Sequence, residues 1–350
     1  MTQQHVHLVG AGLIGASIGI GLTAAGWDPS IEDADASAEQ VAWRIGAGRA
    51  LSDAQSPSLV IVAVSPAATP DVVVASLRRW PDAVVTDVAS VKGPVAAAAS
   101  AAGFGARYVG SHPMAGREVS GTLAAQGDLF KARPWVVCRG EATDAAVESV
   151  ARVARVLEAD VVAMDAEAHD AAVARVSHAP QVIASAVAAA LGPLAADDVA
   201  LAGQGLRDVT RIAASPPGMW SEIARLNQAA LERTLDHIIG DLEDVRESED
   251  IGAALEDLIA RGNVEVARIP GKHGGVQRDW TPVTVIVPDE PGQLVRLLQD
   301  AASVGANVED ISIEHSPRQP VGLTTLYVLP ASVPQLVEAL EHAGWTVASS

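Results

Sequence analysis

The stretch His5-Val6-His7-Leu8-Val9-Gly10-Ala11-Gly12-Leu13-Ile14-Gly15 decides the fold of the amino-terminal part of the chain. It is a short apolar strand that runs directly into the pattern G-x-G-x-x-G. Gly10 permits a tight turn, Gly12 leaves room for a pyrophosphate against the backbone, and Gly15 lets the next helix pack closely. The N-terminus of that helix presents unpaired N–H groups to the phosphates. The stretch therefore predicts a dinucleotide-binding βαβ unit.

An acidic residue after the predicted second strand bears on which dinucleotide binds. Asp33 lies 23 positions after Gly10, where a carboxylate binds the hydroxyls of the adenosine ribose. A carboxylate also repels a 2′-phosphate, so we expect NAD as the cofactor and NADP less readily. Glu32 and Asp35 are neighbouring acids that compete for the ribose role. The predicted cofactor contacts are Gly10, Gly12, Leu13, Ile14, Gly15, Asp33 and Ser65.

Composition excludes several classes of protein. The 350 residues suggest two or three domains, and the formal charge of −19 argues against a nucleic-acid partner, because a phosphate backbone needs a basic face. No run of residues is long and apolar enough to span a bilayer, and no signal-peptide pattern opens the chain. We therefore expect a cytoplasmic protein with no membrane partner. The single cysteine, Cys138, lies in an apolar run and is predicted to be a buried thiol.

Hydrophobic patterning divides the chain. Strands alternate with helical patterns over 1–165, which predicts a Rossmann-type doubly wound α/β domain. Over 166–265 the apolar residues recur with a helical period, which predicts an all-helical domain that binds substrate and dimerises. The expected helices cover about 167–193, 197–213, 218–247 and 249–263. Pro180 is expected to interrupt the first of them near His178.

The carboxyl-terminal part of the chain is predicted to be a separate unit. Residues 266–280 are rich in glycine and charge and are interpreted as a linker. Residues 281–350 show the order βαββαβ of a ferredoxin-like sandwich. A homodimer is expected from an apolar stripe within 218–247, although a core inside one chain would use the same stripe. Its members are Ile223, Leu226, Ala230, Leu231, Leu235, Ile238 and Leu242.

Two polar segments, 87–93 and 110–118, each follow an apolar strand. Both should lie at the carboxyl edge of the sheet, beside the nicotinamide. There His112 can accept or polarise a hydroxyl proton while a hydride leaves the same carbon, and Ser90 can orient that hydroxyl. A histidine after a strand is also found as a capping or surface residue, so both interpretations stay open on the residues alone.

The predicted helical domain contains two further polar segments, 177–181 and 205–211. A guanidinium at Arg211 can hold a carboxylate through two hydrogen bonds. Arg207 and Arg211 are one helical turn apart, however, and ion pairs on a solvated face would explain them equally well. His178 also fits a hydrogen-bonded core histidine. No spacing of cysteine, histidine and carboxylate residues resembles a metal site, so we expect no metal.

Five short motifs occur in a fixed order along the chain, and together they indicate one protein family. GAGLIGAS (10–17), TDVASVKG (86–93), GSHPMAGRE (110–118), SHAPQ (177–181) and LRDVTRIA (206–213) together resemble the prephenate/arogenate dehydrogenase family. Residues 289–315 resemble part of an ACT domain, a module that usually binds a small ligand such as an amino acid. The resemblance implies an NAD(P)-dependent oxidative decarboxylation in tyrosine biosynthesis. Prephenate would give 4-hydroxyphenylpyruvate, or arogenate would give tyrosine directly.

The same resemblance implies roles for particular residues. His112 matches the histidine that hydrogen-bonds the substrate's C4 hydroxyl, and Ser90 matches the serine that orients it. Arg211 matches the arginine that binds a substrate carboxylate, and Glu118 matches an acid near the mouth of the cleft. Further substrate contacts are expected from Ser177, His178 and Gln181. Many family members carry a histidine where this chain has Gln181, so the resemblance leaves both prephenate and arogenate open.

The ACT resemblance implies an aromatic amino-acid effector, with tyrosine, the end product, expected first. The effector contacts are assigned to Asp289, Gly305 and Asn307. A purely structural dimerisation unit is the alternative.

Two other functions fit the residues less well. A β-hydroxyacid dehydrogenase typically carries a catalytic lysine in its helical domain, and 167–264 contain no lysine. A non-catalytic amino-acid sensor would be expected to lack His112, Ser90 or Arg211, and all three are present.

Overall fold

The computed structural model describes residues 5–52, 55–117, 119–270, 280–315 and 320–348. The chain forms two compact units, Met1–Glu256 and Asp257–Ser350. No helix in these described ranges combines the length and the apolar character needed to cross a membrane.

A seven-stranded sheet forms the centre of the first unit. Its strands are β1 (Val6–Val9), β2 (Ser30–Glu32), β3 (Leu59–Val62), β4 (Val84–Asp87), β5 (Tyr108–Pro113), β6 (Pro134–Cys138) and β7 (Asp160–Ala163). The strand order is β2-β1-β3-β4-β5-β6-β7, and β1 to β5 are parallel. The chain leaves β1 in one direction for β2 and later in the other for β3, and this reversal opens a crevice at the carboxyl ends of the strands.

Helices cover both faces of this sheet. They are α1 (Leu13–Ala24), α2 (Ala36–Arg44), α3 (Thr69–Arg79), α4 (Gly93–Ala101) and α5 (Asp144–Val156). Leu59 and Ile61 of β3 belong to the core cluster that includes residues of α1 and α5, whereas Val60 and Val62 pack with α3 and α4. Burial of both faces explains why β3 is a continuous apolar run rather than an alternating one. The predicted doubly wound fold is confirmed.

The last strands of the sheet depart from a uniformly parallel arrangement. β6 runs antiparallel to β5, and β7 is parallel to β6. Pairing with β6 extends β5 through Pro113, and His112 lies opposite Val136 in this ladder. The expectation that His112 follows the strand is therefore wrong, because the antiparallel partner lengthens β5 past the point where the apolar run ends.

Seven helices follow β7: α6 (Ala166–Val173), α7 (Ala179–Ala189), α8 (Ala196–Val199), α9 (Gln204–Thr210), α10 (Pro217–Leu226), α11 (Gln228–Glu247) and α12 (Ile251–Val266). The predicted interruption before Pro180 is confirmed, since a π-helical turn, Ala174–His178, separates α6 from α7. The single helix expected over about 197–213 is wrong: α8 ends at Val199, and α9 begins only after Gly203, whose backbone is extended and whose helix propensity is low. The helix expected over 218–247 is divided at Asn227.

The second unit is a four-stranded antiparallel sheet covered by two helices. Its elements are β8 (Thr281–Pro288), α13 (Gln293–Ser303), β9 (Val308–His315), β10 (Val321–Val328), α14 (Val333–His342) and β11 (Thr346–Ala348). The strand order is β11-β8-β10-β9. Val285, Leu297, Leu326 and Leu336 lie in its core. The βαββαβ sandwich is confirmed. Most of the predicted linker, 271–279, lies outside the described residues.

Candidate active site

The glycines of the fingerprint are placed as their spacing predicts. Gly10 has a φ of +109°, and a Cβ there would lie 2.4 Å from the carbonyl oxygen of Ala63. A Cβ on Gly15 would lie 2.0 Å from the carbonyl oxygen of Gly10, so the first turn of α1 packs directly on the preceding loop. Around Gly12 the described chain leaves open space, and α1 begins at the next residue, Leu13. A free helix N-terminus beside open space fits a bound pyrophosphate.

Asp33 lies immediately beyond β2, on the same crevice. Its Oδ2 atom accepts a hydrogen bond of 2.6 Å from the backbone N–H of Ala11. The crevice has a volume of about 690 Å³ and is lined by Gly10, Gly12, Asp33 and Ser65 among others. Glu32, the competing acid, is paired with Arg79 at 2.7 Å and lies 3.4 Å from the ring of His7. Its pairing leaves Asp33 as the better candidate for the ribose hydroxyls.

A buried ion pair joins the ends of β4 and β5. Lys92 is fully buried, and its Nζ atom pairs with Asp87 and donates to the carbonyl oxygen of Ser111 at 2.8 Å. The hydroxyl of Tyr108 donates to the other carboxylate oxygen of Asp87 at 2.6 Å. Removal of either partner would leave the other as an uncompensated buried charge, which is strongly destabilising. The pair therefore fixes the loop that carries Ser90 against the strand that carries His112.

His112 makes a short contact with a second histidine. Its Nδ1 atom lies 2.9 Å from Nε2 of His169, and Nδ1 of His169 lies 2.8 Å from Oδ1 of Asp170. Burial, the charge of Lys92 and the neighbouring rings of His169 and His178 hold the pKa of His112 well below its usual 6.5. At neutral pH the ring is therefore neutral and able to accept a proton.

Ser90 lies in the loop between β4 and α4, at the same edge of the sheet. Its hydroxyl oxygen is buried, and the part of the chain that the structure describes supplies it with no hydrogen-bond partner. Buried hydroxyls are normally paired, so an orphaned one beside the carboxyl ends of the strands fits a group that a ligand completes.

Asp170 connects this edge to the helices. Its carboxylate accepts from the N–H groups of Lys92 at 2.8 Å and Gly93 at 2.7 Å, at the N-terminus of α4. The side-chain amide of Asn227 donates to the backbone carbonyl of Asp170 at 2.8 Å and lies 3.2 Å from Nδ1 of His178. Asn227 occupies the break between α10 and α11, so the interruption of the helix serves the site. These contacts hold the helices against the carboxyl edge of the sheet.

A second cavity, of about 360 Å³, lies among α7, α10 and α11. Gln181 is buried in its wall, where its Nε2 donates to Ser185 Oγ at 3.3 Å and its Oε1 accepts from Ser215 Oγ at 3.4 Å. His178 also lines the cavity and meets the ring of Trp220 edge-on at 6.1 Å. Burial lowers the pKa of His178 to about 4, so the described polar groups of this wall are uncharged at neutral pH.

The remaining predicted site residues fall as follows. Arg211 is exposed and begins a 3₁₀ turn, Arg211–Ala213, whose last residue lines the second cavity. Ser177 is half-buried in the π-helical turn one residue before His178. Glu118 lies outside the described residues. Among the described residues, histidine, cysteine and carboxylate side chains form no cluster suited to a metal ion.

Sequence reasoning missed three residues of the catalytic edge: His169, Asp170 and Asn227. The adjacent His-Asp pair is a signal that could have been noticed, and so is an asparagine inside an otherwise strong helical pattern. Neither signal identifies a partner, because the contact between His112 and His169 joins residues 57 positions apart.

A dinucleotide crevice, with a neutral histidine and a free hydroxyl at its carboxyl edge, defines a nicotinamide-dependent dehydrogenase. Residues 19–163 match the family model of the prephenate dehydrogenase nucleotide-binding domain, and residues 165–255 match that of the prephenate dehydrogenase dimerization domain. The chain belongs to the prephenate dehydrogenase family of NAD-dependent oxidoreductases, which confirms the predicted family, enzyme class and cofactor.

Three similar proteins illustrate the relationship. A probable prephenate dehydrogenase of Streptomyces niveus, NovF, is 32% identical over 97% of this chain and 98% of its own length. The crystal structure of prephenate dehydrogenase from Aquifex aeolicus, in complex with hydroxyphenyl propionate and NAD+, has a TM-score of 0.67 at 26% identity, covering 77% of this chain and 98% of that one. A Synechocystis arogenate dehydrogenase structure has a TM-score of 0.66 at 26% identity, covering 75% and 99%.

Proposed function

We propose that the chain catalyses the NAD-dependent oxidative decarboxylation of prephenate to 4-hydroxyphenylpyruvate in tyrosine biosynthesis. The observation that carries the proposal is that a neutral His112 on β5 and the unpartnered hydroxyl of Ser90, in the loop after the neighbouring strand β4, lie at the edge of the sheet where a nicotinamide would bind. The family membership supports it. Gly10, Gly12, Leu13, Ile14, Gly15 and Ser65 would hold the dinucleotide, with Asp33 on its ribose.

In this reaction the protein has to position the substrate and to accept and return one proton. When bound, NAD supplies the acceptor for the hydride that leaves C4 of the substrate. Ser90 orients the C4 hydroxyl, and His112 accepts its proton and returns it to the same oxygen after the bond to CO2 has broken. Departure of CO2 leaves its bonding electrons in the ring, which becomes aromatic, so the substrate itself provides the driving force.

The second cavity supports a keto-acid side chain on the substrate. Its described polar groups, which include Gln181, Ser215 and a neutral His178, donate hydrogen bonds without carrying charge. A keto oxygen only needs donors, whereas the ammonium of arogenate would be desolvated there without a carboxylate. Arg211, near the same cavity, would bind the side-chain carboxylate. Arogenate is the second candidate, because the Gln181 carbonyl oxygen can accept from an ammonium.

Initial-rate measurements of NADH formation test the proposal. The purified chain is assayed with prephenate and with arogenate, each with NAD and with NADP. We expect the highest kcat/KM for prephenate with NAD. A higher kcat/KM for arogenate would transfer the assignment to the second candidate, and no NADH from either substrate would overturn the proposal.

We also infer that the functional chain is a homodimer, with domains at 1–165, 166–265 and 281–350 and a linker at 266–280. Part of the predicted apolar stripe faces inward, since Ile223, Ala230 and Leu231 are buried within the chain. Further along, Ile239 and Leu242 are about half exposed, which fits a face covered by a second copy. Light scattering should give twice the chain mass, and Leu242→Glu should reduce it. A monomer at micromolar concentration contradicts the inference.

The 281–350 unit would bind an aromatic amino acid, tyrosine first. Asp289 precedes α13, whereas Gly305 and Asn307 follow it, so the two groups lie at opposite ends of an 11-residue helix about 16 Å long. One small ligand therefore reaches both only if two copies of the unit contribute one end each. Tyrosine, phenylalanine and tryptophan should be titrated against the intact enzyme and against Asn307→Ala. A rate or Tm that none of the three changes would make the unit structural.

A further inference from the structure

His112, His169 and Asp170 form a continuous chain of two hydrogen bonds. The Nδ1 atom of His112 lies 2.9 Å from Nε2 of His169, whose Nδ1 lies 2.8 Å from Oδ1 of Asp170. His169 is buried and Asp170 nearly so. Besides His169, the charged or titratable groups that act on the His112 ring are Lys92, which is paired with Asp87, and His178. Hydrogen bonds of this kind determine which nitrogen of each imidazole ring carries the proton.

The direction of each hydrogen bond follows from Asp170. Its carboxylate accepts from two backbone N–H groups, those of Lys92 and Gly93, which can only donate. Burial raises the pKa of this carboxyl, but the hydrogen bonds from His169, Lys92 and Gly93 outweigh burial and bring it below its usual value. Asp170 is therefore an anion at neutral pH. Nδ1 of His169 must donate to it, and Nε2 of a neutral His169 is then an acceptor.

The hydrogen bond from His112 to His169 fixes the tautomer of His112. Because Nε2 of His169 accepts, Nδ1 of His112 carries the proton that joins the two rings. A neutral imidazole has one protonated nitrogen, so Nε2 of His112 keeps its lone pair. The opposite tautomer of His112 would place an unprotonated Nδ1 against the acceptor of His169, and that contact would be lost.

We propose that His169 and Asp170 are positioning residues that hold His112 in the Nδ1–H tautomer, so that Nε2 accepts the proton of the substrate hydroxyl. The identity of that hydroxyl rests on the proposed function, whereas the tautomer does not. Once His112 has taken the proton, the carboxylate of Asp170 stabilises the resulting cation through His169, and no second proton needs to move.

The surroundings of Asp170 make the arrangement rigid. Its side chain closes the N-terminus of α4, and a Cβ on Gly93 would lie 2.9 Å from Oδ2 of Asp170, so the approach is as close as glycine permits. Asn227 holds the backbone carbonyl of Asp170 from the other side at 2.8 Å. A histidine merely filling the core would not need its neighbour fixed from two directions.

Two substitutions of His169 separate positioning from packing. His169→Leu removes the acceptor for His112, so we expect kcat to fall by about 100-fold or more, within the range that a misdirected catalytic histidine produces. His169→Gln returns an oxygen acceptor and should recover most of that loss, to within about tenfold of the wild type. KM for NAD should not change in either variant. The matched control is His237→Leu, which removes an exposed histidine that also neighbours an aspartate.

The tautomer itself is read by NMR of protein labelled with ¹⁵N-histidine, with the His112 signal assigned through its loss in His112→Asn. We expect wild-type His112 to carry its proton on Nδ1, and His169→Leu to shift it toward Nε2. Asp170→Ala should do the same, because loss of the carboxylate removes the acceptor that keeps the proton on Nδ1 of His169. Thermal melts verify that each variant is folded.

Three results would overturn the proposal: a wild-type His112 protonated on Nε2, an unchanged tautomer in His169→Leu, or equal loss of kcat in the leucine and glutamine variants. The spectra need no substrate. An inactive wild-type enzyme would therefore count against the proposed reaction only. The tautomer of His112 would still be tested by its NMR signal.

Discussion

The nucleotide crevice and the catalytic edge occupy the same side of one sheet but are built differently. The crevice is lined by the turn after β1, the end of β2 and the segment after β3, and Gly10 and Gly15 allow close backbone approaches there. The catalytic edge takes side chains from β5, α6 and the break at Asn227. Backbone contacts bind a cofactor, whereas the hydrogen-bonded side chains of the catalytic edge fix the position of one proton. Substitutions should therefore separate cofactor affinity from turnover.

The sharpest test of that separation is His112→Asn. Loss of the proton acceptor should lower kcat by about two to four orders of magnitude, the usual contribution of a positioned acid–base group. KM for NAD should barely change, because the crevice is intact. Initial rates and a cofactor titration measure both values. A fall of less than tenfold in a folded variant would remove His112 from the reaction.

Arg211→Ala should act on the substrate alone. A charge-assisted contact to a carboxylate contributes about 1.5–3 kcal/mol, so KM for prephenate should rise by about tenfold or more, with NAD affinity unchanged. Arg207→Ala, one helical turn away, is the matched control. Equal Michaelis constants for wild type and Arg211→Ala would assign Arg211 to a surface ion pair.

Asp33→Ser tests the crevice side of the comparison. Two unit charges about 4 Å apart in water interact by about 1 kcal/mol, so loss of the carboxylate should raise kcat/KM for NADP relative to NAD by about fivefold. The matched control is Asp35→Asn, at an exposed carboxylate, which should leave the ratio of kcat/KM for NADP to that for NAD unchanged. A wild type that already prefers NADP would mean that Asp33 does not meet the ribose.

Acid stability tests the buried histidines on the catalytic side of this comparison. Folding lowers the pKa of His178 from 6.5 to about 4 and that of His112 in the same direction. Between these values the unfolded chain binds more protons, so the free energy of unfolding decreases as the pH falls from 6.5 toward 4. Thermal melts across that window should show a falling Tm, with a smaller slope in His178→Asn. The exposed His237→Asn should melt like the wild type throughout.

The sequence predicted best what depends on local backbone chemistry. The fingerprint turn needs glycine at fixed offsets, and the βαββαβ unit alternates along each strand, so both could be derived from short windows. Strand direction could not, because periodicity is the same in either orientation, and β6 was therefore not recognised as antiparallel. The extension of β5 through His112 depends on that same partner.

The catalytic edge was predicted only in part, for a related reason. His112 and Ser90 stand out because polar residues follow apolar strands. The adjacency of His169 and Asp170 is visible in the sequence, but the other partner of His169 is a ring supplied by β5, which no short window shows. Asn227 lies within an apolar helical pattern that predicted one helix over 218–247, and only its contacts to Asp170 and His178 explain the break.

The lone thiol of Cys138 gives the enzyme a built-in chemical reporter. Cys138 is buried in β6 opposite Gly110 of β5, and burial raises its pKa to about 12. Because the thiolate is the reactive form, an alkylating reagent should modify this cysteine only when the β5–β6 ladder separates. The rate of alkylation then measures how often the strand that carries His112 opens, and ligands that tighten the catalytic edge should slow it without any engineered label.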